Sequence, residues 1–126
     1  MIYQARLLWR NENLEEEVLV QIGEVQLICF ANICPYKIFE NETYPVELSL
    51  FWLDEYRLEQ MPDTAEQAIL QVGNNFAHVI TGRLEGPCLE SRGVVFEDEF
   101  LLDDYGYLSG QMVRLFVDRL EIEFIR

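Results

Sequence analysis

The chain has 126 residues, half of them apolar, and its 23 acidic and nine basic residues give a formal net charge of −14. This length predicts one domain, residues 1–126, with a core large enough to be stable without disulfides or metal ions. An acidic surface repels phosphate backbones and anionic lipids, so we expect neither nucleic acid nor a membrane as a ligand. The same charge favours encounters with a basic protein partner.

The cysteines and the apolar runs predict the cellular compartment. Cys29, Cys34 and Cys88 are odd in number and lack CxxC spacing, which differs from a secreted disulfide framework. No basic stretch followed by an apolar run opens the chain, and no apolar segment approaches the ~20 residues that span a bilayer. We therefore expect a cytoplasmic protein with reduced thiols.

The first third of the chain predicts two strands. Residues 2–9 alternate in polarity, and one face carries Tyr3, Ala5, Leu7 and Trp9. A second alternating run covers residues 18–31, but its apolar positions change from even to odd numbers at Gly23. An extra residue at a β-bulge, often a glycine with positive φ, reverses the faces of a strand and bends it. We therefore predict a long strand that bends at Gly23.

The middle of the chain predicts a strand and one helix. Residues 43–53 alternate as a strand, and Pro45, which cannot donate a ladder hydrogen bond, belongs near its start or on an edge. Residues 63–72 have the pattern of a short helix, with Asp63 as N-cap, a glutamate three residues later, an apolar stripe and Gly73 as terminator.

The last third predicts three more strands. Two of them cover residues 76–84 and 93–96, and the segment EGPCLESR between them is a loop by composition. The segment LLDDYGYLSG then turns the chain into a final long strand at residues 113–124.

The final strand changes face in its middle, at Asp118 and Arg119. Its apolar residues are odd-numbered before this point and even-numbered after it: Val113, Leu115, Val117, Leu120, Ile122 and Phe124. We interpret the change as a bend that lets one strand serve both halves of a curled sheet, with the two charged residues tying it to a neighbouring strand. The alternative is that the bend directs one of the charges into a functional cleft.

These elements predict a mainly β fold, an antiparallel curled sheet or small β-barrel of about six strands, with one short α-helix near residues 63–72. A sandwich is the alternative arrangement. The bent first long strand with a central glycine resembles the OB-fold in outline. The predicted helix lies just ahead of the strand that it would be expected to follow.

Catalytic chemistry has little support in the sequence. A nucleophile needs a base, which is most often histidine, and the chain has one, His78. It shares a predicted strand face with Phe76 and Ile80, which favours a structural role. Carboxylate pairs of the kind that cleave glycosidic bonds are numerous, but their abundance identifies no site. We assign no catalytic residue and expect a protein that is not an enzyme.

Metal and cofactor sites are likewise not predicted. Cys29 and Cys34 are five residues apart, too far for a zinc knuckle, and Cys29 fits the core. The acidic stretch at residues 97–104 lacks the alternating ligands and central glycine of an EF-hand loop. No glycine-rich phosphate loop and no basic aromatic stripe is present.

Acidic residues beside aromatic ones remain as candidates for partner binding. Asp103, Asp104, Tyr105 and Tyr107 form one such group, and Trp9, near Glu12, belongs to another. Tyrosine and tryptophan are enriched at binding hot spots, and carboxylates attract basic partners. The alternative is that the two tyrosines fill one end of a barrel.

Two functions follow as hypotheses. The first is a non-catalytic acidic interaction module that binds a protein, either a second copy through edge strands or a basic partner. A sharper form is an inhibitor or immunity-type protein that masks a nucleic-acid-cleaving toxin by mimicking its polyanionic substrate. The second is a small-molecule-binding or hydrolytic β-barrel protein with its site at the barrel mouth. A pocket with polar groups around His78 favours the second hypothesis, and a filled barrel with an apolar surface patch favours the first.

Overall fold

The computed structural model describes residues 1–53, 57–73 and 76–126. It is mainly β with two sheets and one short α-helix, which confirms the predicted fold class. The strands are β1 (Ile2–Arg10), β2 (Glu17–Ile22), β3 (Val25–Ile33), β4 (Thr43–Phe51), β5 (Arg57–Met61), β6 (Ala68–Gln71), β7 (His78–Glu85), β8 (Cys88–Ser91), β9 (Val94–Glu97), β10 (Met112–Val117) and β11 (Arg119–Phe124). The helix α1 (Glu99–Tyr105) continues into a 3₁₀ helix at Gly106–Leu108.

The first sheet closes into a five-stranded barrel in the order β1-β2-β3-β11-β4. Its pairs are antiparallel except for β3 with β11, which is parallel. Inward side chains such as Leu7, Val20 and Ile122 are fully or almost fully buried and fill the interior, as expected for a barrel of so few strands. Five strands agree with the OB-like outline predicted from the sequence.

The second sheet has the order β5-β10-β7-β8-β9. One edge of β7 pairs with β10, and the other pairs with β6 along its first half and with β8 along its second half. Gly82 lies at the change of partner, where a Cβ atom would overlap the backbone carbonyl of Glu90. A glycine is therefore required at this point of β7.

A two-stranded ribbon joins the two sheets. In the barrel β4 pairs with β11, and the same two chain segments continue into the second sheet as β5 and β10. The last barrel pair is Phe51 with Arg119, and the first pair of the second sheet is Phe116 with Arg57. On the β10–β11 side, Val117 and Asp118 separate these two pairs, and the strand passes from one sheet to the other there. This confirms that the change of face at Asp118 lets one strand serve both halves of the sheet.

The sheets share one core and are fastened by contacts at their junction. Buried residues of both sheets form a single cluster. The Val95 N–H donates to the Tyr3 hydroxyl at 2.6 Å, which satisfies a backbone group on the outer edge of β9. The Trp52 indole donates from Nε1 to the Phe116 carbonyl at 2.7 Å and packs edge-on against Phe100 of α1.

The helix predicted near residues 63–72 is wrong. Its second half is strand β6, which pairs with β7, and a turn precedes it in which Ala65 N–H donates to the Pro62 carbonyl. Asp63, the predicted N-cap, instead pairs with Arg83 at 3.1 Å. A helix of two or three turns is marginal by itself, so pairing with the free half of β7 decides the conformation.

The helix that does form, α1, lies in a region predicted as a turn. Asp98 caps it, since its Oδ1 accepts from the Phe100 N–H at 3.2 Å. The segment predicted as a loop, EGPCLESR, contains β8 between two tight hairpin turns, with positive φ at Gly86, Arg92 and Gly93. Such two-residue turns let short strands pair. The described residues therefore form eleven strands, where about six were predicted.

The bulge predicted at Gly23 is also wrong. Gly23 has φ +60° in a two-residue hairpin turn, and Ile22 pairs directly with Val25 on either side of it. Glycine at the first central position suits this turn, and the turn reverses the chain instead of bending it.

Edge strands occur in the second sheet alone among the described residues, because the barrel is closed. A homo-oligomer that forms through edge strands would therefore use β5, β6 or β9. None of the helices in the described part of the chain combines the length and apolar character of a membrane crossing.

Candidate functional site

Large apolar side chains are exposed at the barrel end that faces away from the second sheet. The strands β1 and β3 finish there and β2 and β4 begin there, as their antiparallel registers show. The exposed side chains at this free end are Trp9, Leu14, Ile33 and Phe39. The free end is thus an apolar surface remote from the junction.

A bulge turns Trp9 outward. Leu7 pairs with Val20 and Trp9 with Leu19, so Leu8 is an extra residue in β1. Alternation would place Trp9 inside with Leu7, but after the bulge it is 40% exposed. Bulges of this kind redirect side chains. The alternation did not reveal this bulge, because apolar residues continue at odd positions from Tyr3 to Trp9.

The charges at the free end are nearly balanced. Four of the nine basic residues of the chain lie there, and so do six of the 23 acidic ones. The basic ones are Arg6, Arg10, Lys37 and Arg126, and the acidic ones are Glu12, Glu15, Glu16, Glu17, Glu40 and Glu42. Two of these cations are held at the free end by hydrogen bonds: the Arg6 guanidinium donates to Asn41, and the Arg126 guanidinium donates to the Pro35 carbonyl. The remainder of the chain has five basic and 17 acidic residues and carries most of the negative charge.

A second surface is formed by α1 and the 3₁₀ helix, and we call it the acidic–aromatic surface. Leu101 is buried beneath it, whereas Leu102 is 45% exposed and Tyr107 is 79% exposed. Tyr105 and Tyr107 have ring centroids 6.4 Å apart. Tyr107 therefore does not fill a barrel end, which was the alternative for the two tyrosines.

Unpaired carboxylates surround these side chains. Asp103 and Asp104 are exposed on α1 and form no ion pair within residues 1–53, 57–73 and 76–126. Residues 93–113 contain five acidic residues and no Lys, Arg or His. Burial raises the pKa of Tyr105, and the neighbouring Tyr107 and Asp104 raise it further. The segment thus contributes carboxylates and no cation around its exposed apolar groups, and Arg83 of β7 donates to the Gly110 carbonyl at the end of the segment.

The five predicted partner-binding residues form two separate surfaces. Asp103, Asp104, Tyr105 and Tyr107 lie together on the acidic–aromatic surface. Trp9 lies at the free end, beside the start of β4, whereas α1 packs on Trp52, beyond the other end of β4.

An open cleft of about 470 Å³ lies where the ribbon crosses between the sheets. Its lining residues are Trp52, Arg57, Val72, Ala77, His78, Phe116, Val117 and Asp118. His78 begins β7, so this cleft lies beside the second sheet, at its junction with the barrel. The cleft is outside the barrel.

The polar groups of this cleft have structural contacts. His78 is buried, and its Nδ1 lies 2.7 Å from the Phe76 carbonyl. Burial lowers the pKa of His78, although the hydrogen bond to Phe76 opposes this. Asp118 Oδ2 accepts from the Leu53 N–H at 2.7 Å. Among the described residues that line the cleft, no Ser, Thr or Cys lies beside His78.

The cysteines and acidic residues show no metal-binding arrangement in the part of the chain that the structure describes, where no three His, Cys, Asp or Glu side chains cluster. Cys29 is fully buried in the barrel, and desolvation raises the pKa of its thiol to about 12. Cys29 is thus a core residue, as its position in the alternating pattern predicts.

The chain belongs to the family described as Uncharacterised conserved protein UCP019853, whose family model matches residues 1–125. No curated protein and no solved structure matches the chain.

Arg119 has the contacts of a structural residue. Its guanidinium lies between the rings of Phe30 and Phe51, 4.0 and 4.2 Å from their centroids. It also pairs with Glu121 at 2.7 Å, on its own strand and not on a neighbouring strand as predicted. The two rings belong to β3 and β4, which flank β11, so Arg119 ties three barrel strands together.

We expect Arg119→Ala to lower the melting temperature by about 3 to 8 °C, because two cation–π contacts and a half-buried ion pair together contribute about 1 to 2 kcal/mol. Arg119→Lys keeps the positive charge but loses the planar stacking. We therefore expect its melting temperature to lie between those of the wild type and Arg119→Ala. Thermal unfolding followed by circular dichroism measures both. An unchanged melting temperature in Arg119→Ala would show that the residue has another role.

Proposed function

We propose that this protein is a non-catalytic acidic interaction module that binds a basic protein partner through its acidic–aromatic surface. The observation that carries the proposal is the exposure of Tyr107 and Leu102 in a segment with five carboxylates and no cation. An exposed aromatic ring supplies rigid contact area, and the surrounding carboxylates raise the association rate with a positive partner.

The negative charge also selects the class of partner. A surface with a large uncompensated charge attracts proteins that themselves bind polyanions. A nucleic-acid-cleaving toxin has such a surface, so an inhibitor or immunity-type role would use the same contacts. We place this binding in the cytoplasm, which is supported by three cysteines that are all free thiols.

Affinity capture from the source cells tests the proposal, with the wild-type chain and the double variant Leu102→Ser/Tyr107→Ala as baits. We expect the wild type to retain a basic protein that the double variant loses, because the variant lacks the apolar centre of the surface. Leu70→Ser is the matched control, since Leu70 is 60% exposed on β6, away from α1. Capture of the same proteins by all three baits would contradict the proposal.

Charge variants distinguish an effect of the acidic–aromatic surface on partner binding from an effect of the net charge of the chain. Asp103→Asn/Asp104→Asn and Glu12→Gln/Glu16→Gln remove the same two charges, the first pair on α1 and the second at the free end. For the captured partner we expect the first variant to lower the association rate several-fold more than the second, and high salt to weaken wild-type binding. Equal effects of the two variants would mean that the surface has no specific role.

Self-association is a second candidate, favoured by the balanced charges of the free end. Two copies of a chain with net charge −14 repel each other through most orientations. The free end is the exception, because four cations and six acidic residues surround four exposed apolar side chains there. A two-fold dimer would bring each copy's cations to the other's carboxylates.

Light scattering after size exclusion, at about 0.1 mM protein so that a weak dimer is populated, tests the second candidate. We expect the wild type to contain dimer and Trp9→Ala to be monomeric, with unchanged circular dichroism because Trp9 is outside the barrel core. Leu70→Ser, on edge strand β6, should retain the dimer. A monomeric wild type, or a dimer lost in Leu70→Ser and retained in Trp9→Ala, would contradict it.

A further inference from the structure

Strand β5 is an edge of the second sheet and, among the described residues, pairs with β10 alone. The N–H of Leu84 in β7 donates to the carbonyl of Gln111, which precedes β10. Backbone groups alternate in direction along a strand, so odd-numbered residues of β10 bond to β7 and even-numbered ones bond to β5. Each even-numbered residue of β10 lies opposite an odd-numbered residue of β5. The even-numbered residues of β5, Leu58 and Gln60, therefore direct their backbone N–H and C=O groups to the outer edge.

These outward groups are available for pairing. The N–H and C=O groups of Leu58 and Gln60 have no hydrogen-bond partner on this side among residues 1–53, 57–73 and 76–126. Unpaired groups along a sheet edge are a template on which a strand of another chain can pair. The outer edge of β5 is therefore suited to an extended segment of a partner.

The acidic segment that contains α1 lies beside this edge strand. Phe100 of α1 contacts Trp52, whose indole donates to the β10 carbonyl opposite the first residue of β5. Gln111 accepts from the Gln60 side chain at 3.4 Å, near the other end of β5. Residues 98–111 thus approach β5 near both of its ends, and they contain four carboxylates and no cation.

The two faces of the edge strand differ in charge. Arg57 and Glu59 lie on one face, 3.7 Å apart, and Glu59 also pairs there with Arg114 at 2.7 Å. Leu58 and Gln60 lie on the other face, where Gln60 contacts the acidic segment. Side chains of an added strand would alternate between the two faces. Because the first face has its own cations, charge complementarity favours a cation at every second position of the added strand, on the second face.

We infer that the basic partner adds an extended segment to the outer edge of β5, with lysine or arginine at every second position on the side of the acidic segment. This inference rests on the proposed function, which takes the partner to be basic. Backbone pairing supplies affinity in such complexes, and alternate side chains supply specificity. A second copy of the chain is disfavoured at this edge, because it brings another net charge of −14.

The peptide acetyl-KTKTKTK-amide is the probe, because it is cationic at every second position and too short to fold by itself. Its matched controls carry N-methyl groups, one on every threonine amide and the other on every lysine amide. Both controls keep the charges, but each lacks the donors on one edge of the peptide. We expect calorimetry to show that one control binds at least about tenfold more weakly and the other within about twofold of the parent.

The control that loses binding reports the direction of the added strand. In an antiparallel pair, residues that face each other on the same side of the sheet exchange both hydrogen bonds, so methylated lysine amides would block pairing. In a parallel pair the neighbouring residues form the bonds, so methylated threonine amides would block it. A purely electrostatic contact would be insensitive to both modifications.

Amide hydrogen exchange locates the pairing on β5. We expect the Leu58 and Gln60 amides to exchange at least about tenfold more slowly in the complex with the parent peptide than in the free chain. The amides of the odd-numbered β5 residues face β10 and should change little. Protection of Leu58 and Gln60 that instead increases with the concentration of the free chain would assign the edge to a second copy and overturn the inference.

Gln60→Pro and Gln60→Thr are the matched protein variants. Both lose the side-chain bond to Gln111, but only the proline variant lacks the outward N–H. Proline is tolerated on an edge strand where the N–H faces solvent, and circular dichroism checks the fold. We expect the proline variant to bind the parent peptide about tenfold more weakly and the threonine variant to bind it within about twofold of the wild type. If the proline variant does not fold, the methylated peptides decide.

The inference would be overturned if the parent peptide did not bind, if both methylated controls bound as the parent does or both lost binding, or if the Leu58 and Gln60 amides were not slowed. Its failure is distinguishable from failure of the proposed function. A basic partner that Gln60→Pro captures as well as the wild type does, and that Leu102→Ser/Tyr107→Ala loses, would overturn pairing at β5 and leave the proposed function in place.

Discussion

The structure depends on one constraint, the ribbon that belongs to both sheets. The segments that form β4 and β11 in the barrel form β5 and β10 in the second sheet, so neither sheet is complete without chain that also builds the other. The inward side chains change from odd to even positions at Asp118, which allows Val117 and Leu120 to be buried on opposite sides of the bend. The two sheets therefore share one hydrophobic core.

This arrangement distributes the candidate sites along the molecule. The crossing of the ribbon leaves the cleft, because residues of both sheets meet there without continuous pairing. The opposite end of the barrel carries the exposed Trp9, whereas α1 packs Phe100 on Trp52 near the junction and is followed by the exposed Tyr107. Residues 93–113, which include α1, have five carboxylates and no cation, whereas the free end has both signs of charge, so the two surfaces suit different partners.

Much of the β architecture could be predicted from period-two patterns, and the remainder depended on pairing that is not local. Alternation identified β1, β4, β7, β9 and the change of face at Asp118, because a buried face constrains every second residue. The same pattern could not distinguish a hairpin turn at Gly23 from a bulge, and it gave no sign of the bulge at Leu8. The segment at residues 63–72 has a helical pattern, but an unpaired half-edge of β7 converts its second half to β6. Among the candidate residues, composition grouped Asp103, Asp104, Tyr105 and Tyr107 before the structure placed them together, whereas the cleft around His78 requires the fold.

The central claim is that the ribbon makes the barrel and the second sheet one cooperative unit. Native-state hydrogen exchange at increasing urea concentration tests it most directly, by comparing the slowest amides of β10 with those of β11. The account predicts that both sets exchange through the same global opening, with free energies equal within about 0.5 kcal/mol. A lower opening free energy for β10 and β7, with the barrel amides still protected, would show that the second sheet unfolds independently and would contradict the account.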